Sequence, residues 1–201
     1  MAAYRYFVVY KPYGVLSQFT PNQVGQRTLT DLGVRFPKDV YPVGRLDADS
    51  EGLLLLTNDP RLNARLLRPE AGHVRVYWTQ VEGIPTEEAL EALRRGVVIR
   101  VRGALYRTRP AHVSLLKIPP KVPPREPPIR FRKNIPDCWL EIALNEGKNR
   151  QIRRMCAAVG YPVLRLIRIQ LGHLRLYEGE LIDLQVGEVR ELHATKWFWA
   201  P

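Results

Sequence analysis

Apolar and polar positions along this chain fall in short blocks, most of them too short for a long helix. Residues 4–10 are aromatic and β-branched and predict a first strand, broken by Pro12-Tyr13-Gly14. A polar, turn-rich loop follows to about Arg27, and residues 28–34 have room for one helical turn or two. The apolar run 53–56, closed by Asn58-Asp59-Pro60, predicts a buried strand, although periodicity alone leaves a helix open. Residues 61–67 predict a short helix.

Residues 74–81, rich in Val, Tyr, Trp and Thr, predict another strand. The clearest helix comes next. Thr86 is placed as its N-cap, Glu87, Glu88 and Glu91 suit its positive end, Arg94 and Arg95 suit its last turn, and Gly96 stops it. Strands are expected at 97–101 and 104–115. Pro119-Pro120, Pro123-Pro124 and Pro127-Pro128 then recur every four residues and predict an extended, exposed connector over about 117–129. A strand at 138–145, a helix at 149–159 and strands near 163–170, 173–177 and 190–194 complete the pattern. Strands and helices intersperse without regular βαβ alternation, which gives an α+β class with a mixed, largely antiparallel sheet.

Composition adds three constraints. The chain has 201 residues, 45% of them hydrophobic, enough for one core-bearing domain without disulfides. Cys138 and Cys156 lack metal-site spacing and read as reduced, buried thiols of a cytoplasmic protein. No segment resembles a targeting signal, and no apolar run approaches the ~18 residues of a membrane span. Charge is more informative. Lys and Arg number 31 against 20 Asp and Glu, a net +11, which points to a polyanionic partner such as nucleic acid. Residues 148–175 concentrate the effect, with basic side chains at 148, 150, 153, 154, 165, 168 and 175 and no acid.

Two segments could carry chemistry. In Gly44-Arg45-Leu46-Asp47-Ala48-Asp49-Ser50-Glu51-Gly52, three carboxylates alternate between apolar flanks. A calcium loop beginning at Asp47 would need a bidentate carboxylate at its twelfth position, where this chain has Asn58. A solvated acidic turn and a catalytic carboxylate remain as the other readings. The second segment is Asn145-Glu146-Gly147-Lys148-Asn149-Arg150-Gln151-Ile152-Arg153-Arg154-Met155. On a helix over 149–159, Ile152, Met155, Cys156 and Val159 form one apolar stripe. Arg150 and Arg154 then point away from it, while Arg153 lies on its border, able to reach inward to a carboxylate.

The motif Lys11-Pro12-Tyr13-Gly14-Val15-Leu16-Ser17, the Gly44-Arg45-Leu46-Asp47 box with Ser50-Glu51-Gly52-Leu53-Leu54, and the Glu146-to-Met155 segment occur in one fixed order. Together they resemble the RsuA/RluB/RluE/RluF family of pseudouridine synthases over about residues 5–195. Pro127-Pro128-Ile129-Arg130, Ile135-Pro136 and Trp139-Leu140 add likeness to one subgroup that acts on 23S ribosomal RNA. One departure is Arg75-Val76-Tyr77-Trp78-Thr79, where relatives more often have Lys-x-Tyr-x-Val.

The resemblance implies a pseudouridine synthase catalytic fold, one domain over 1–201 with two subdomains around a central cleft and flanking helices, and no S4 domain before it. It implies isomerisation of a specific uridine of 23S ribosomal RNA, free or in a pre-ribosomal particle, by a cytoplasmic monomer using no cofactor and no metal. Asp47 matches the family's catalytic Asp, Arg153 the Arg paired with it, and Tyr77 the Tyr stacked on the flipped base. Arg45 matches a position that fills the gap left by that base; its alternative is an ion pair with Asp49 or Glu51. Leu166 and Leu174 match apolar pocket positions and also suit a core. Lys148, Arg150, Arg154, Arg165 and Arg168 are expected to contact RNA phosphates. Trp197, Phe198 and Trp199 could stack on RNA or pack the C-terminus onto the body.

Overall fold

The computed structural model describes residues 4–68, 73–129 and 135–193. Arg130 and the aromatic residues Trp197, Phe198 and Trp199 lie outside them. The chain divides into two compact units, residues 1–73 with 168–201, and residues 74–167. The class is α+β.

In the first unit, β1 (Tyr6–Lys11) lies between β5 (Glu51–Thr57) and β13 (Val189–Leu192), antiparallel to both. Every residue of β1 and of β5 is buried, so their apolar runs are continuous rather than alternating. The short β4 (Tyr41–Pro42) pairs with β5, and β2 (Val15–Leu16) pairs with β3 (Arg27–Thr28) in parallel. A 3-10 turn over Leu29–Leu32 is fixed by a capping box between Thr28 and Asp31. Helix α1 (Pro60–Leu67) has Asp59 as its N-cap, accepting from the Arg61 amide at 3.0 Å. Leu62 and Leu66 form its buried side.

In the second unit, β6 (Arg75–Glu82), β10 (Asp137–Leu144) and β9 (His112–Leu115) pair antiparallel in that order. Helix α2 (Glu87–Arg95) runs from the Thr86 cap to Gly96, as the sequence predicts. The hairpin of β7 (Val98–Val101) and β8 (Ala104–Arg107) follows it. Helix α3 (Gln151–Ala158) places Ile152, Met155 and Cys156 in the same core as Val81, Leu93 and Ile142. Burying side chains of this kind contributes roughly 1.5–3 kcal/mol each.

Three of the boundaries that differ from the sequence reading have a clear local cause. The expected strand 104–115 is two strands, β8 pairing with β7 and β9 with β10, and they are separated where Pro110 offers no amide. The helix expected from 149 begins at Gln151, because Arg150 takes a left-handed conformation, φ 51°, and the Lys148 amide donates to the Gln151 side chain. The strand expected over 173–177 is β12 (Leu174–Arg175) alone, since Tyr177 also turns left-handed at φ 66°. The Pro-rich stretch joins β9 to β10 inside the second unit. Strand β11 (Val163–Leu171) begins in the second unit and ends in the first.

Candidate active site

Asp47 sits in a tight turn just before β5, half-buried, with its carbonyl accepting the Ser50 amide at 3.0 Å. The turn leads into a strand that allows no drift. At Gly52, φ is 100°, and a Cβ built there would lie 2.3 Å from the carbonyl oxygen of Arg168. Only glycine fits that close approach of two backbones.

The residues of the Lys11-to-Ser17 motif hold the other side of this turn. Ser17 Oγ donates to the Leu46 carbonyl at 2.8 Å and accepts the Leu46 amide at 3.0 Å. The Gly14 amide, from a residue at φ 79°, donates to the Ala48 carbonyl at 2.7 Å. The residues on both sides of Asp47 are thus fixed through their main chain. Lys11, with no exposed surface, donates from Nζ to the carbonyls of Val15 at 2.6 Å and Pro12 at 2.9 Å, and reaches that of Ala48 at 3.4 Å.

Lys11 also sets the electrostatics of the turn. Burial pulls its ammonium down to about 7, while the charges of Glu51, Asp49 and Asp47 resist that fall and Arg168 adds to it. Glu51 is itself buried at the head of β5. The three acids therefore act on one internal cation, with Glu51 buried and Asp47 and Asp49 half-buried in the turn. The calcium reading fails on geometry too. Asn58 is already used, accepting the Arg5 amide at 2.8 Å and donating to Asp39. Among the described residues no group of three or more His, Cys, Asp or Glu could hold a metal ion. Arg45 is exposed and donates to Gln18 Oε1 at 2.8 Å, which replaces the expected alternative of an ion pair with Asp49 or Glu51.

Tyr77 and Arg153 belong to the second unit. Tyr77 lies half-buried on β6 opposite Ile142 of β10, against the core of that unit. Arg153 is half-buried on α3, its Nη1 donating to the Val163 carbonyl at 3.4 Å. The loop before α3 is organised by Glu146, a buried carboxylate. It accepts from Tyr106 Oη at 2.5 Å, the Arg109 amide at 2.9 Å and Gln151 Nε2 at 2.6 Å. Burial pushes the Glu146 carboxyl up, but those three donors outweigh it and hold it below its ordinary range.

Of the expected phosphate contacts, Lys148 and Arg150 are exposed on this loop, and Lys148 Nζ lies 4.6 Å from the Tyr106 ring centre. Arg154 is half-buried and donates to Asn149 at 3.0 Å. Arg165 and Arg168 are placed differently from the sequence reading. Both are buried, at 5% and 3% exposure, because β11 is covered on both faces. Arg165 donates to the Pro123 carbonyl and Arg168 to the Leu53 carbonyl, each at 2.8 Å. Leu166 packs in the core of the second unit. Leu174 is buried in the first, where it lines a cavity with His173, Arg175 and Leu192.

The sequence reading matched Lys11, Ser17 and Glu146 only as motif letters and gave them no work. Their partners lie up to 40 residues away along the chain, as in the Tyr106–Glu146 bond, and no local spacing reveals them.

The acid at 47 is thus held through the main chain of its neighbours in front of a buried strand, and a basic loop leads into α3. The RNA pseudouridylate synthase family model matches residues 5–158, and the chain belongs to that family. It is 53% identical over 167 residues to ribosomal large subunit pseudouridine synthase E of Xanthomonas axonopodis pv. citri, covering 83% of this chain and 85% of that one. It is 47% identical over 193 residues to the synthase of the same name from Vibrio vulnificus, covering 96% and 76%. A crystal structure of a pseudouridylate synthase superposes with a TM-score of 0.76 at 25% identity, over 98% of this chain and 74% of that one.

Proposed function

We propose that this enzyme isomerises one uridine of 23S ribosomal RNA to pseudouridine, with Asp47 as the catalytic carboxylate. The observation that carries the reading is the double clamp on the Asp47 turn, by Ser17 and Gly14, in a chain about half identical to large-subunit synthases. Such a clamp fixes the position from which one side chain projects.

The reaction breaks the bond from the ribose anomeric carbon to N1 of uracil, turns the base and forms a bond to C5; the proton lost from C5 is matched by one gained at N1. No electrons leave the substrate and no oxidant is required. Asp47 acts in its ionised form on the target nucleotide. In this reading Arg153 supplies the guanidinium that pairs with the carboxylate, and Tyr77 stacks on the extruded base. Arg45 enters the space the base leaves, and Lys148, Arg150 and Arg154 take the phosphates beside it. The enzyme works as a cytoplasmic monomer without a cofactor, on free RNA or on an assembling subunit.

The test is Asp47→Asn assayed on 23S RNA transcribed without modification. Unchanged RNA affinity with no pseudouridine formed is the expected result. Continued conversion by the purified variant would remove Asp47 from its role.

A further inference from the structure

We propose that the β7–β8 hairpin is a second RNA-docking surface, one that grips the phosphate backbone away from the target nucleotide. The inference rests on the RNA-modifying reading above and extends it to a surface outside the family motifs.

Charge provides the first observation. From residue 96 to residue 125 the chain has seven Lys and Arg residues and no Asp or Glu. At the chain's average composition about three acids would fall in a stretch of that length. The stretch is longer than the basic run at 148–175 and does not overlap it.

The hairpin directs three of these charges, Arg100, Arg102 and Arg107, outward. Val98 pairs with Arg107, Ile99 with Tyr106, and Arg100 with Leu105. Alternate residues of a strand face opposite sides. Ile99 and Tyr106 therefore turn to the core of the second unit, while Val98, Arg100, Leu105 and Arg107 share the outer face. Leu105 is 70% exposed and Val98 49% exposed. Arg102 and Gly103 form the tip, both at positive φ.

The guanidinium groups here lack counter-charges. Elsewhere on the surface, Arg5 pairs with Glu191, Arg94 with Glu87, and Arg190 with Asp183. Among the described residues Arg102 and Arg107 have no ion pair, and Arg100 donates only to the Gly103 carbonyl at 2.9 Å. A face of unpaired arginines beside exposed apolar side chains suits a polyanion that also presents sugar and base surfaces, which is RNA.

The mount is rigid. Tyr106 binds Glu146 through its hydroxyl and lies under Lys148. Thr108 accepts the Val97 amide at 3.0 Å and sits against Gly96, where a Cβ would meet its carbonyl at 2.3 Å. The hairpin is thus fastened to the loop that presents Lys148 and Arg150. A strand of RNA lying on that loop would run on to a surface already in place, with no ordering cost at binding.

The experiment uses the full chain with Arg100, Arg102 and Arg107 all changed to Gln, and unmodified 23S RNA made in vitro. Affinity is measured across a salt series, and conversion in single turnover. We expect affinity at moderate salt to fall on the order of tenfold to a hundredfold, and the slope of log K against log salt to flatten by about 2–3. The single-turnover rate at saturating RNA and the melting temperature should match wild type. An unchanged slope and affinity, with wild type converting uridine normally, would overturn the docking surface and leave the function intact. A flattened slope in a system where wild type makes no pseudouridine would keep the surface and remove the substrate assignment. Loss of self-association with RNA affinity unchanged would assign the face to a second copy and overturn the proposal.

Discussion

Ser17 and Leu46 exchange two hydrogen bonds, the hydroxyl donating to the carbonyl and accepting from the amide of one residue 29 positions away. Leu46 is the residue immediately before Asp47, and both members of the pair are buried. Ser17→Ala would leave a buried amide and a buried carbonyl without partners, at a cost of roughly 1–3 kcal/mol. Urea denaturation should register that loss. Single-turnover pseudouridine formation should fall at least tenfold while RNA affinity stays constant, since the clamp positions the acid and binds nothing. A wild-type rate in this variant would mean that the turn holds itself.

Lys11 predicts an alkaline rise in stability. Its folded-state value of about 7 lies below the ordinary 10.5, so between these limits the unfolded chain holds a proton that the folded chain has released. Unfolding free energy then increases with pH across that window, by at most about 1.4 kcal/mol per pH unit from this group. Below pH 7 the lysine is charged in both states and the slope vanishes. Comparing wild type with Lys11→Met by denaturation from pH 6 to 10 isolates the contribution. Parallel curves for the two proteins would show that Lys11 stays protonated inside.

Glu146 behaves in the opposite sense. Its folded value is depressed, so its contribution is present above the ordinary carboxylate range and disappears as acid protonates the folded protein. Glu146→Gln should cost roughly 1–3 kcal/mol at neutral pH. It should also flatten the acid limb of the stability profile. Amide exchange at Arg109, whose N–H donates to this carboxylate, should quicken in the variant. Equal protection at Arg109 would count against a fastening role.

The partnership proposed for Asp47 and Arg153 has a kinetic signature. Arg153→Gln should lower the single-turnover rate at saturating RNA at least tenfold, because a charge placed beside the reacting groups is lost. A wild-type rate in this variant would give Arg153 a different task.

How much of this was readable beforehand depends on where each signal is stored. Helix α2 was legible to the residue, because Thr86, the leading glutamates and Gly96 are local signals. The start of α3 was not. What ends it at Gln151 is a side chain folding back onto the Lys148 amide, and that competes with a helical pattern that looks continuous. Arg165 and Arg168 read as surface charge because they belong to a basic run. Three residues apart on a strand, they face opposite sides, and packing on both faces of β11 encloses both. The acid at 47 could be identified by motif, whereas its supports could not, since their hydrogen bonds span tens of residues.

At Gly52 the backbone of β5 comes so near the Arg168 carbonyl that a single methyl group would collide with it. The distance between these strands is therefore set by a missing carbon, and the turn carrying Asp47 inherits that spacing as its datum. Gly52→Ala would move the acid by pushing a whole strand aside, so the smallest chemical change in the chain should act as a large mechanical one.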